Sequence, residues 1–277
     1  MVRSLWTAAT GMRAQQTNVD TIANNLSNVN TTGYKTEVNG FKSLLYQTIQ
    51  TKTTSANGDT KPVGAQVGLG VRNASITSIF TDGALLASSS DSDFALSGRG
   101  FFAIRGEDGN TYYTRNGSFN WALNNEGGVM LATSDGLPAL DTAGNPISFG
   151  PQLAASKITV TGDGTFCYPD EFNNPKPIED TQGRVIRFGI IQFSNPAGLE
   201  KNDSGLFAQS AASGAPLSEA TDTNLEPTKV TQGYLEGSNV QVVDEMVNLI
   251  TAQRAYELNS KAITASDEML QQANNLR

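Results

Sequence analysis

Both ends of the chain carry apolar residues at a spacing of seven, and that spacing restricts the fold more than any other feature. Near the N-terminus Leu5, Met12, Val19 and Leu26 recur every seven residues, with Ala8, Gln15, Ile22 and Val29 three positions after each. Near the C-terminus Val242, Leu249, Tyr256, Ile263 and Leu270 repeat the pattern, accompanied by Met246, Ala252, Ala262 and Ala273. Such a heptad row forms a seam along one side of an α-helix, and the seam has to be covered. The pattern predicts a helix over residues 1–33, stopped where Gly33 can turn left-handed. It predicts a second over 233–277, opened by a capping box at Ser238-Asn239-Val240-Gln241. Either helix alone is marginal in water. Two arrangements cover the seams: an intramolecular pair that closes one globular fold, or a pair that goes on to contact further copies of the chain.

The other helix faces bear on that choice. They hold Gln16, Asn18, Asn24, Asn25 and Asn28, then Gln253, Asn259, Gln271, Gln272, Asn274 and Asn275, where a solvated helix carries mixed Glu and Lys. Packing against identical copies disfavours charge, because like charges meet at each repeat and buried ions need partners. Amides both donate and accept, so they satisfy one another when water leaves. Plain solvation of the same amides remains compatible with the composition.

Between the helices the periodicity changes. From 71 to 232, short apolar or alternating runs are broken repeatedly by Gly, Asn and Asp, the pattern of an all-β domain. Phe101–Arg105 and Thr111–Arg115 read as a hairpin around Glu107-Asp108-Gly109-Asn110, with further turns at 124–128 and at Gly162-Asp163-Gly164. "RVIRFGIIQF", residues 184–193, reads as one buried strand. Residues 34–70 read as an extended arm or linker, because 46–70 are rich in Thr, Gln, Gly and Ser. The predicted class is α+β: long N- and C-terminal helices pairing as a coiled-coil-like unit, with an inserted all-β domain. The expected boundaries are 1–33, 34–70, 71–232 and 233–277.

Composition narrows the function. A net charge of −8 without any Lys/Arg cluster argues against nucleic acid as a partner. Histidine is absent and Cys167 is the one cysteine, so the commonest general base, an intrachain disulfide and a thiolate metal site are all ruled out. No stretch approaches the ~18 consecutive apolar residues of a membrane span. The first sixteen residues do not read as a cleavable signal, since Thr7, Thr10 and Arg13 interrupt the apolar run. The acids Glu107 with Asp108, Asp163, and Asp170 with Glu171 lie in turn-like segments, where carboxylates serve turn geometry. No catalytic, cofactor-binding or metal-ligating residue is expected, and no small-molecule substrate.

Three blocks carry a specific likeness. "QTNVDTIANNLSNVNTTGYK" (16–35), "GRGFFAIRGEDGNTYYTRNGSF" (98–119) and "GYLEGSNVQVVDEMVNLITAQRAYELNSKAITASDEMLQ" (233–271) resemble, in this order, the N-terminal, central and C-terminal signatures of bacterial flagellar rod and hook proteins. The resemblance implies a self-assembling axial subunit of a rigid tubular drive shaft that spans the periplasm in the basal body. Terminal helices would form the inner tube, with the β domain outside. It implies homopolymer contacts through Leu5, Met12, Val19, Ile22, Leu26, Val29, Val242, Leu249, Tyr256, Ile263 and Leu270. Residues 46–68, including Tyr46, Gln47, Thr48, Ile49, Lys61 and Pro62, would be an arm that stiffens the rod. Implied partners are neighbouring proximal rod and hook subunits, basal-body ring proteins and the flagellar type III export apparatus, which would pass the chain without signal cleavage. Residues 166–180, with three prolines, look like an added excursion. The alternatives are another axial subunit of the same class, or a carbohydrate-active β-domain enzyme with a helical dimerisation hairpin.

Overall fold

Neither terminal heptad segment contains proline, and Gly11 is the one glycine within their helices. Both segments are accordingly continuous: α1 spans Val2–Ser27 and α2 spans Val242–Asn275. Asp244 and Glu245 in the first turn of α2 complement its dipole. A computed structural model describes residues 2–50, 65–124, 127–170, 174–180, 183–222 and 224–275. With two long helices around a strand-rich middle, the fold is α+β. Two units divide the chain: Met1–Ser27, Glu37–Ser78 and Gln241–Arg277 form the first, Asn28–Thr36 and Ile79–Val240 the second.

In the first unit α1 and α2 pack antiparallel. The hydroxyls of Ser4 and Ser266 are hydrogen-bonded at 3.3 Å, and a Cβ on Gly11 would lie 2.9 Å from Asn259 Nδ2. Helix α1 stops at Ser27 rather than at Gly33. The reason lies in Asn25, whose amide donates to Glu37 O (2.8 Å) and accepts from Glu37 N–H (2.9 Å), so it ties the helix end to a strand instead of continuing the turn. Gly33 does adopt the left-handed conformation, with φ of 70°. Helix α2 likewise starts at Val242, later than expected, because Tyr234–Glu236 is a strand.

The described part of the predicted arm is a β-ribbon. Strands β1 (Glu37–Ser43) and β2 (Tyr46–Gln50) run antiparallel to β4 (Val71–Ser78) and β3 (Ala65–Gly68) respectively. Leu44 N–H to Gly70 O and Leu69 N–H to Leu45 O join the two ladders. The first unit therefore takes in residues 71–78, which sequence reading had given to the β domain. Lys61 and Pro62 lie outside the described residues. The ribbon's sidedness is inverted. Asn39 and Ser78 are buried, and both amide atoms of Asn39, Asn73 Oδ1 and Ser78 Oγ make no hydrogen bond to the described residues, while Val38, Phe41 and Ile76 face solvent.

The second unit contains the main core. Strands β5 (Leu85–Ala87), β6 (Phe94–Ser97), β7 (Phe101–Arg105), β8 (Thr111–Thr114), β9 (Phe119–Leu123) and β10 (Val129–Thr133) follow one another along the chain. The expected β7–β8 hairpin is present, with Phe102 opposite Thr114 and Arg105 opposite Thr111. It is central to a six-stranded antiparallel sheet, in the order Glu200–Lys201, Leu206–Ala208, β8, β7, Ile190–Gln192, Leu217–Ser218. Phe94, Phe102, Phe119, Phe149, Phe166 and Phe188 fill one side, mostly edge-on or tilted, while Phe101, Phe193 and Phe207 fill a second cluster. The run 184–193 is not one strand. Gly189 passes so close to Leu140 and Asp141 that a Cβ would lie 2.6 Å from Asp141 O, and regular pairing resumes at Ile190. The excursion is a hairpin, Phe166–Pro169 against Pro175–Pro177.

Candidate assembly surface and a buried ionic clasp

The helix pair places its large and small side chains in an order that heptad reasoning did not anticipate. From Ser4–Ser266 to Gly11–Asn259 each helix advances seven residues. Continued by sevens, the same step reaches Asn18 and Asn25 on α1 and Ala252 and Glu245 on α2. The two helices thus meet at Ser4 with Ser266 and at Gly11 with Asn259, and along the heptad row through these positions Asn25, Glu245, Ala252 and Ser266 are buried. Several amides assigned to outer faces belong to this inner row. The expected interface residues flank it. Ile22 is buried; Leu5, Met12, Val19, Leu26, Leu249, Ile263 and Leu270 are half-buried; Val242 and Tyr256 are exposed. Val29 lies beyond α1, half-buried in the second unit.

Several large apolar side chains remain outside, interspersed with Arg254, Glu257 and Lys261. Val243 (73% exposed), Val247 (55%), Ile250 (48%) and Leu258 (66%) share the side of α2 turned away from α1, beside Met246. Trp6 on α1 is 64% exposed. On the ribbon, Leu45, Tyr46 and Ile49 are exposed as well. A water-facing monomer helix carries mainly polar residues on that side, and this many exposed large apolar side chains on one helix mark an interaction surface.

The second unit contains a site with no counterpart in the sequence reading. Glu236, Lys35 and Arg115 have side chains at most 1% exposed. Glu236 Oε1 accepts from Lys35 Nζ at 2.6 Å and from Gly83 N–H at 3.0 Å, and Oε2 accepts from Arg115 Nη1 at 3.2 Å. Lys35 Nζ also donates to Thr81 O, and Arg115 donates to Gly98 O. Asp82 lies 3.6 Å from the guanidinium, which stacks 5.2 Å from the Phe101 ring. Burial pulls the Lys35 ammonium below its ordinary pKa, against the opposing attraction of Glu236. Removing one partner of such a buried pair costs about 3–5 kcal/mol. Asn239, read as part of a helix cap, instead accepts from Thr36 N–H (2.7 Å) and Oγ1, and donates to Ile79 O, Thr81 O and Thr81 Oγ1.

The remaining acids have local duties. Asp108 accepts from Asn110 and Tyr112 inside its turn, and these bonds lower its pKa. Glu171 lies outside the described residues. Among the described residues no group of three or more His, Cys, Asp or Glu could hold a metal, and no helix is long and apolar enough to cross a membrane. Burial raises the pKa of the Cys167 thiol.

Comparison with known proteins locates all three signature blocks. Residues 5–35 match the family described as flagella basal body rod protein, 95–168 the flagellar hook protein FlgE/F/G D1 domain, and 231–276 the flagellar basal body rod FlgEFG protein C-terminal. The flagellar basal-body rod protein FlgG of Borreliella burgdorferi is 44% identical over all of this chain and 99% of its own length. The chain belongs to the flagellar basal-body rod family. FlgG of Agrobacterium fabrum is 42% identical over 97% of each chain, and FlgG of Bacillus subtilis 34% identical over the whole of both. A member of this family is a structural subunit of the flagellar rod, located in the basal body and assembling with other axial components. The carbohydrate-active reading is not favoured.

Proposed function

We propose that this rod-family chain is a distal rod subunit that polymerises into a stiff tube, with α1 and α2 packing as a coiled-coil-like unit against the same helices of neighbouring copies. One observation carries the reading: the helices meet each other through small and polar residues, while Val243, Val247, Ile250, Leu258 and Trp6 are left in water. Burying a few such side chains per subunit contributes several kcal/mol at ~25 cal/mol per Å², and a helical array repeats that gain at every subunit. Full-length likeness to FlgG proteins supports the rod position. Proximal rod and hook subunits, ring proteins and the type III export apparatus are the partners this position brings. Electron microscopy of the purified chain at rising concentration is expected to show tubes of uniform diameter. Monomers at every concentration would overturn the assignment.

The β2–β3 ribbon is assigned the stiffening role, supported by the exposure of Leu45, Tyr46 and Ile49. Deleting residues 46–68 is expected to leave the second unit folded by circular dichroism and to yield curved or flexible rods. Rods as straight as the parent's would refute the role.

A further inference from the structure

We propose that residues 234–240 are a C-terminal latch that closes last and holds segment 28–36 in the second unit. The contacts converge on that short piece of chain. Gly33 N–H donates to Glu236 O, Lys35 Nζ to the Glu236 carboxylate, and Thr36 N–H to Asn239. Gly237 N–H donates to Ala84 O and Gly83 N–H to Glu236 Oε1, so 79–84 is held by the same residues. Segment 28–36 supplies no strand to any sheet in this unit. Ile79 N–H to Thr36 O, Lys35 Nζ to Thr81 O and Thr32 Oγ1 to Asn116 Oδ1 also hold the segment, but the acceptors of the Gly33 and Thr36 amides and the carboxylate facing Lys35 come from residues some two hundred positions later in sequence.

Charge makes the dependence one-way. Lys35, Arg115, Glu236 and Asp82 together are neutral. Before Glu236 arrives, docking Lys35 would bring a second cation beside the Arg115 guanidinium in a dry site, with the half-exposed Asp82 as the one remaining carboxylate. A buried unpaired cation is strongly disfavoured, so Lys35 stays in water. The β7–β8 hairpin and its Phe cluster contain no such requirement and can form earlier. A chain that emerges N-terminus first keeps 28–36 open until its last forty or so residues are available.

Hydrogen exchange on the full-length chain tests this. In pulse-labelled refolding, Gly33 and Thr36 amides are expected to gain protection together with Gly237 and after those of Phe102 and Arg105. Protection of Gly33 and Thr36 before Gly237 would overturn the latch. At equilibrium, Glu236→Gln is expected to speed exchange at Gly33 and Thr36 about 100-fold while β7–β8 retains its protection. Lys35→Met combined with Glu236→Gln restores neutrality through Arg115 and Asp82, and should recover part of that protection. A role in packing alone makes the double variant worse than the single, and that result would refute the proposal. So would a double variant that unfolds throughout, or a Glu236→Gln chain with unchanged protection. All these measurements are made on dilute monomer, so they stand or fall independently of tube formation.

Discussion

Replacing Val247 and Ile250 together with aspartate is expected to abolish rods while leaving the isolated chain folded. Both side chains are about half exposed on the outer side of α2. Changing them removes no large part of the intramolecular packing, and surface substitutions of this kind usually change stability by about 0.5 kcal/mol or less. In a polymer the balance is different. Each lost apolar side chain forfeits about 1.5–3 kcal/mol of burial. Each new carboxylate adds a desolvation penalty of several kcal/mol where no cation faces it. The sum recurs at every subunit, so even a lower estimate prevents growth. Thermal melts of the purified variant should match the parent, cells should be non-motile, and isolated basal bodies should end before this part of the rod. Straight, full-length rods built from the variant would show that this side of α2 faces something other than a neighbouring subunit.

Phe94→Ala is expected to act on the opposite property, the fold of the second unit. Phe94 is fully buried, with its ring centroid 5.0 Å from Phe188, 6.3 Å from Phe119 and 6.4 Å from Phe166. Truncation leaves a cavity among rigid rings that cannot collapse into it, at a cost of about 3–5 kcal/mol. Against a typical total of roughly 5–15 kcal/mol, that is a large fraction. Trp121, packed on Phe149 in the same cluster, reports the transition by fluorescence once Trp6 is replaced by phenylalanine. The urea midpoint read at Trp121 should fall sharply, while the helical signal at 222 nm, dominated by α1 and α2, need not fall with it. A midpoint within error of the parent would mean that the aromatic cluster is not the stabilising centre of the unit.

The sequence made some of this legible and hid the rest for physical reasons. The β7–β8 hairpin was readable because alternation, aromatic content and Asp108-Gly109 agree on one structure, and Gly109 indeed has φ of 78°. The helices were readable from their heptads, but not which row turns inward. Every row of a helix repeats with the same period of seven, and hydrophobicity nominates the row with the largest side chains. Here close approach at Gly11, with Asn259 against it, favours a neighbouring row of small residues. The inverted ribbon escaped notice because its alternation is real but its apolar face points outward. The ionic clasp was invisible: Lys35, Arg115 and Glu236 look like solvated charges, lie far apart in sequence, and meet only through topology. Asn239 misled in a specific way. The residue type that caps helices is also one that can bridge separate stretches of backbone, and local context does not distinguish the two uses.

The alternation of segments between the units has a consequence for how such a molecule can change over evolutionary time. Three stretches of the first unit interleave with two of the second, so the backbone passes from one to the other four times. Neither unit corresponds to one continuous stretch of gene. A single cut cannot release either of them, and a single recombination event cannot exchange one for a foreign module. Loop tips such as the one between β7 and β8 are interrupted by no such passage, and they are where new length can be added without disturbing the joins.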